Sequence, residues 1–308
     1  MKIGLVLLLA ACAVICGCSP IEQLGIKFLY KKAELPDSQI LKDIPYHKTP
    51  DPDAPDHLLD LFLPSGKGWP VLVFIHGGGW TAGSKDLSVG GADVYGNIGR
   101  FYASQGVGVA VINYRLLPNC NWRDQLDDAA QAVSWVHAHI AEHGGDPARF
   151  FLMGHSAGGE LCARIAFDPK PFKNVGASTF TICGVITVSG AALDLNDRKT
   201  YQLGEKLAYY EKRFREGDTT DRWKDEVSPV NFVRPGGPPF LVLYAGGEKK
   251  GLQRQSERFR EVLSSAGIPS QLVVVPGESH ERIVLTLSRS DKTAGPAILE
   301  FIQKSSCR

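Results

Sequence analysis

The sequence predicts an α/β fold: a mostly parallel central sheet with helices on both faces and a small cap-like insertion. Short β-rich apolar runs recur at 58–63, 71–75, 107–112, 150–153, 182–188, 240–244 and 271–275, each of strand length. Amphipathic periods lie between them. Leu126, Ala129, Ala130, Val133, Val136 and Ile140 keep one face apolar at helical spacing, and Phe259, Val262, Leu263 and Ala266 do the same later. Runs that are apolar nearly throughout, instead of alternating, suit strands buried on both faces, as in a parallel sheet between two helical layers. From 194 to 234 the alternation breaks into a polar stretch carrying Tyr201, Tyr209, Tyr210, Phe214 and Trp223. That stretch is expected to lie over one end of the sheet.

Length and composition agree with this reading. The 308 residues are 44% hydrophobic and 22% charged, enough apolar material for a large core and too much for a disordered chain. Thirty-four basic residues stand against 33 acidic ones, a net charge of +1, which argues against a nucleic-acid or other polyanion partner.

The N-terminus carries its own signal. Lys2 is followed by an uncharged apolar run from Ile3 to Cys18, shorter than the roughly 20 residues a membrane span requires and suited to an export signal over residues 1–17. Ile15-Cys16-Gly17-Cys18 followed by Ser19 resembles the lipobox of bacterial lipoproteins, which implies lipidation at Cys18 and a membrane partner through that anchor. Leu9-Ala10-Ala11-Cys12 is the alternative lipobox, and a cleaved signal or uncleaved anchor is the plainer reading. All of them place the protein outside the cytoplasm, in the bacterial cell envelope. Residues 18–56, punctuated by Pro36, Pro45, Pro50, Pro52 and Pro55, read as a tether and N-terminal flap before the main domain at 57–308. Cys120, Cys162, Cys183 and Cys307 show no C-x-x-C and no zinc spacing, so no metal site is expected. Cys183 beside an apolar strand and Cys162 in a helix read as buried free thiols, with one or two disulfides in an oxidising compartment, whose pairing the sequence does not give, as the alternative.

The chemistry begins at Gly154-His155-Ser156-Ala157-Gly158, a G-x-S-x-G match placed between a strand and a helix-compatible run. A serine on so sharp a turn needs small residues two before and two after it, which Gly154 and Gly158 supply. His76-Gly77-Gly78-Gly79-Trp80 follows the strand at 71–75. Its glycines let backbone N–H groups approach a ligand, so Gly78 and Gly79, with Ala157, are the expected oxyanion hole. His76 then shapes the loop and is no base. A phosphate-binding loop is the rival for any glycine run, but no G-K-[ST] supports it.

The base follows by elimination. Of eight histidines only His280 comes after Ser156, as the chain order serine, acid, histidine demands. The acid must sit at a strand's carboxyl end. Glu248 meets that condition after the strand at 240–244, and Asp194, after the strand at 182–188, is its rival.

These motifs together resemble the α/β-hydrolase esterase/lipase group with an H-G-G-G-W loop, above all its bacterial feruloyl-esterase-like and hormone-sensitive-lipase-like branches. The chain is also similar to kynurenine formamidase and isoprenylcysteine methylesterase relatives. The resemblance runs through Asp60–Pro64, Ile112–Leu116, Gly144–Pro147, Ser228-Pro229, Gln255-Ser256 and on to His280, and covers most of 57–304. It implies a serine carboxylesterase acting on small or short-acyl esters, with no cofactor. Gly79 stands where the formamidase branch tends to carry a bulky residue, which favours an ester over a formamide. His155 stands where the hormone-sensitive-lipase branch commonly has Asp. An arylformamidase-like amide hydrolase and a non-catalytic lipid-anchored binding protein are the other readings. The aromatic insertion is expected to wall the acyl or alcohol pocket, with ordinary surface packing as the alternative, and Trp80 beside the hole is a further candidate to line it. Nothing in the sequence signals an oligomeric state.

Overall fold

The computed structural model describes residues 30–47 and 55–307. The export signal, the lipidation candidates Cys18 and Cys12, and the first part of the tether lie outside the described residues. No helix among the described residues is long and apolar enough to cross a membrane.

Eight strands form one sheet: β1 (Ile40–Pro45), β2 (Leu58–Phe62), β3 (Trp69–Ile75), β4 (Gly108–Ile112), β5 (Gly145–His155), β6 (Gly184–Val188), β7 (Phe240–Ala245) and β8 (Ser270–Val275). Their order is β1-β2-β4-β3-β5-β6-β7-β8. Pairing is antiparallel where β2 meets β1 and β4, and parallel everywhere else. All seven sequence-expected strands are present. The addition is β1, inside the expected flap. It is an edge strand with no fully buried residue, so it lacks the apolar run that marks the others.

Five helices matter for the site: α1 (Val94–Ser104), α2 (Trp122–His139), α3 (Ala157–Phe167), α4 (Lys250–Ser265) and α5 (Ala294–Lys304). Alternate side chains of β3 go to opposite layers, as the strand period of two requires. Val71, Val73 and Ile75 pack with α2, α3 and α4, while Leu72 and Phe74 pack with α1 and α5. A capping box of Asn121 and Asp124 starts α2, and these two residues satisfy N–H groups that the first turn leaves without partners.

The insertion folds as short helices Arg198–Gln202, Leu207–Phe214 and Arg222–Val227. Gln255 on α4 anchors its start, accepting from the Asp194 N–H at 2.8 Å and donating to the Asp194 carbonyl at 2.9 Å. Tyr210, Phe214 and Trp223 are buried, and Trp80 packs edge-on against Tyr210 and Phe214. With 1% of its surface exposed, Trp80 is packed into the core beneath the insertion. An aromatic ring beside a glycine loop finds more apolar contact under the insertion than at its rim.

The thiols also differ from expectation. Cys183 is bonded to Cys307, because the chain leaving α5 returns beside the start of β6. Cys162 is a buried free thiol as expected, and Cys120 is free and half-buried.

Candidate active site

Ser156 sits between β5 and α3 with φ 53° and ψ −114°, a conformation that costs a non-glycine residue energy and persists only when the surroundings hold it. They do so with hydrogen bonds on both sides: the Ser156 N–H donates to Val188 O at 2.9 Å, and its carbonyl accepts from Gly159 and Ala191. The flanking glycines are obligatory. A Cβ on Gly154 would lie 2.0 Å from Gly158 O, and one on Gly158 would lie 2.1 Å from Ile75 O.

His280 arrives on the loop after β8. Its Nε2 is 2.9 Å from Ser156 Oγ and its Nδ1 is 2.8 Å from Glu248 Oε2. Since a carboxylate can only accept, Nδ1 carries the proton and the Nε2 lone pair faces the serine hydroxyl. The Glu248 side chain is fully buried, and its Oε1 has no hydrogen-bond partner among the described residues. The two loops are tied together, with the Gly247 N–H donating to Glu278 O at 2.9 Å. Asp194 is elsewhere: Arg258 Nε donates to it at 3.0 Å, and its other oxygen accepts from the Asn196 N–H. Of the two candidate acids, Glu248 is the one on the histidine.

The glycine loop runs alongside. A Cβ on Gly77 would lie 2.9 Å from the His155 carbonyl oxygen and 3.1 Å from Ser156 Cβ, so the loop packs tightly against the serine's turn. Gly78 and Gly79 hold φ +126° and +60°, open to glycine without strain. Gly78 O accepts from the N–H groups of both Thr81 and Ala82, which polarises the Gly78–Gly79 peptide and strengthens Gly79 N–H as a donor. The N–H groups of Gly78, Gly79 and Ala157 donate to no described residue. His76 is buried, donates through Nδ1 to Gly77 O at 2.7 Å and stacks on Tyr114. Burial drives its pKa down to about 4, so it stays neutral and shapes the loop, as read from sequence.

Three supports escaped the sequence reading. The His155 Nε2–H donates to the His280 carbonyl at 2.8 Å, clamping the histidine's backbone from the residue next to the serine. Burial, then the neighbouring His280, lowers the His155 pKa to about 3, so this clamp does not titrate near neutrality. Trp80 Nε1 donates to Glu160 Oε2 at 3.1 Å, joining the glycine loop to the first turn of α3. Burial pushes the Glu160 carboxyl up to about 7, against the opposing pull of Arg164 and the Trp80 hydrogen bond. Arg213 of the insertion donates through Nε to Gly79 O at 2.8 Å. Only Glu160 left a trace in the sequence, as a lone carboxylate among the apolar positions that open α3.

Among the described residues no group of three or more His, Cys, Asp or Glu side chains could hold a metal. A cavity of about 760 Å³ opens near Cys183, Phe240 and Ser270, where β6, β7 and β8 start, at the far end of the sheet from Ser156.

With its serine raised on the β5–α3 turn and a histidine brought to it from beyond β8, the molecule is an α/β hydrolase. Solved structures agree on the fold: esterase B from Lactobacillus rhamnosis inhibited by a tributyrin phosphonate superposes with a TM-score of 0.72 at 22% identity, covering 92% of this chain and 89% of that one. More closely, the chain belongs to the BD-FAE family, whose model matches residues 59–263. Among curated proteins it is similar to isoprenylcysteine alpha-carbonyl methylesterase ICME of Arabidopsis thaliana, 29% identical over 246 residues. It is also similar to esterase LipQ of Mycobacterium tuberculosis, 26% identical over 268 residues. These matches cover 76% and 84% of this chain and 56% and 61% of the relatives, so the chain spans less than two thirds of their length.

Proposed function

We propose that the chain is a serine carboxylesterase that hydrolyses small or short-acyl carboxylic esters through an acyl-enzyme. The observation that carries this reading is the Ser156–His280–Glu248 relay, with contacts of 2.9 and 2.8 Å. The ester-hydrolase names of its relatives support it. His280 Nε2 takes the Ser156 proton as Oγ bonds to the ester carbon, and Glu248 stabilises the imidazolium. The negative charge that grows on the carbonyl oxygen meets the N–H groups of Gly78, Gly79 and Ala157. Loss of one such donor typically costs about 10²–10³ in rate. His280 then returns the proton to the departing alcohol as the C–O bond breaks. Water repeats the cycle and frees the acid.

Hydrolysis of p-nitrophenyl acetate and butyrate, abolished by Ser156→Ala and by His280→Ala, is the expected result. Folded protein without turnover, or turnover indifferent to Ser156→Ala, overturns the assignment.

The same reading makes 1–17 an export signal and Cys18 the lipidated first residue of an envelope lipoprotein. The supports are the uncharged apolar run before Cys18 and the short residues around it. Labelled palmitate incorporated into the wild type and lost in Cys18→Ala is the expected outcome. Label retained in Cys18→Ala and lost in Cys12→Ala would move the anchor.

A further inference from the structure

The insertion reaches the glycine loop with one cation that no carboxylate answers. Arg213 donates through Nε to Gly79 O and through Nη1 to Tyr209 O, both at 2.8 Å. It has no ion-pair partner among the described residues, and its Nη2 donates to none of them. Its guanidinium lies 3.5 Å from the Tyr209 ring centroid. The Tyr209 hydroxyl also donates to no described residue. Both groups crowd one spot on the loop: a Cβ on Gly79 would lie 2.4 Å from Tyr209 Oη and 3.7 Å from Arg213 Nη2. Tyr209 is 41% exposed as a residue, with its hydroxyl packed on the loop at Gly79.

The stretch that carries Arg213 is locally basic. Residues 198–215 hold six Lys or Arg and two Glu, while the insertion as a whole, 194–234, balances nine basic residues with nine acidic ones. Both acids are engaged, Glu205 by Tyr210 and Lys249, and Glu211 by Arg215. Within the relay, the buried Glu248 faces His280 and not the rim. A carboxylate reaching the loop therefore meets unanswered N–H and O–H donors and a stacked guanidinium suited to its planar geometry, against the charge of Glu205, which also reaches Tyr209.

We propose that Arg213 and Tyr209 form a substrate subsite beside the glycine loop that selects esters carrying an ionised carboxylate. This rests on the esterase reading and narrows its substrate class. Arg213 holds the loop through Nε while Nη2 takes the substrate's charge, and the Tyr209 hydroxyl adds a neutral donor.

The test uses full-length protein in detergent and two matched pairs of esters. The p-nitrophenyl monoester of adipic acid is compared with its terminal amide, placing charge on the acyl arm. The butyrate of 3-hydroxybenzoic acid is compared with that of 3-hydroxybenzamide, placing it on the alcohol arm. The readout is the charged-to-amide ratio of kcat/KM after subtraction of spontaneous hydrolysis. The expected wild-type ratio is about tenfold to a hundredfold on one arm, the range for a hydrogen-bonded charge pair, and it shrinks as salt rises to about 0.5 M. Arg213→Gln brings it towards one, Arg213→Lys keeps it above the Gln variant, and Tyr209→Phe lowers it a fewfold. If Arg213→Gln does not fold, the lysine variant and the wild-type salt dependence decide. A wild-type ratio of one or less on both arms overturns the subsite, as does a ratio unmoved by Arg213→Gln. Turnover of neither charged nor neutral esters by folded protein fails the esterase reading instead.

Discussion

Glu160 offers a direct probe of the glycine loop's support. In the folded protein its carboxyl is held at about 7 instead of the ordinary 4.5 because burial penalises the charged form. The folded state therefore binds this proton more tightly than the unfolded chain does. The stability this contributes is fully present below about pH 4.5, is lost as pH rises to about 7, and changes no further above that. At about 1.36 kcal/mol for each pH unit between the two values, the loss is about 3 kcal/mol. Glu160→Gln keeps a carbonyl to accept the Trp80 indole N–H and removes the ionisation. The variant is expected to match the wild type within about 1 kcal/mol near pH 4.5 and to exceed it by up to about 3 kcal/mol at pH 8. Urea unfolding of both proteins at the two pH values reads this out. A difference between variant and wild type that is the same at both pH values refutes the reasoning, because it would mean that Glu160 ionises no later in the fold than outside it.

Three further substitutions separate neighbouring claims. Glu248→Gln leaves a hydrogen-bond partner on His280 but offers an amide in place of the charge, so kcat for p-nitrophenyl butyrate should fall by about 10³–10⁴; Asp194→Asn should lose far less, since its partner is Arg258. Cys307→Ser opens a bridge spanning 124 positions and should lower stability by about 2–4 kcal/mol. In calorimetry a reductant should lower the melting temperature of the wild type and leave that of Cys307→Ser unmoved.

Most of the framework was legible because its signals are local. Fully buried parallel strands are apolar without interruption, and the β5–α3 turn and the glycine loop must be glycine where backbones approach within about 2 Å of an added Cβ. His280 needed only chain order. What stayed hidden depends on partners distant in sequence. β1 is a lightly buried edge that takes its identity from β2. The Trp80–Glu160 bond spans 80 positions and the His155–His280 clamp 125; neither side chain differs, in sequence, from an ordinary aromatic, acid or histidine. The pairing of Cys183 with Cys307 stayed hidden for the same reason. A cysteine beside an apolar strand looks buried and free until the chain's end is seen to return to it.

The packing of Trp80 bears on how this fold can diversify. Its ring is wedged against Tyr210 and Phe214, and Arg213 from the same helix grips the carbonyl of Gly79. Residues 194–234 are thus no detachable cassette. Swapping in a relative's segment of different length would strip cover from the indole and slacken the very peptide beside the serine. Exchanging the loop and the insertion together would keep these contacts in place.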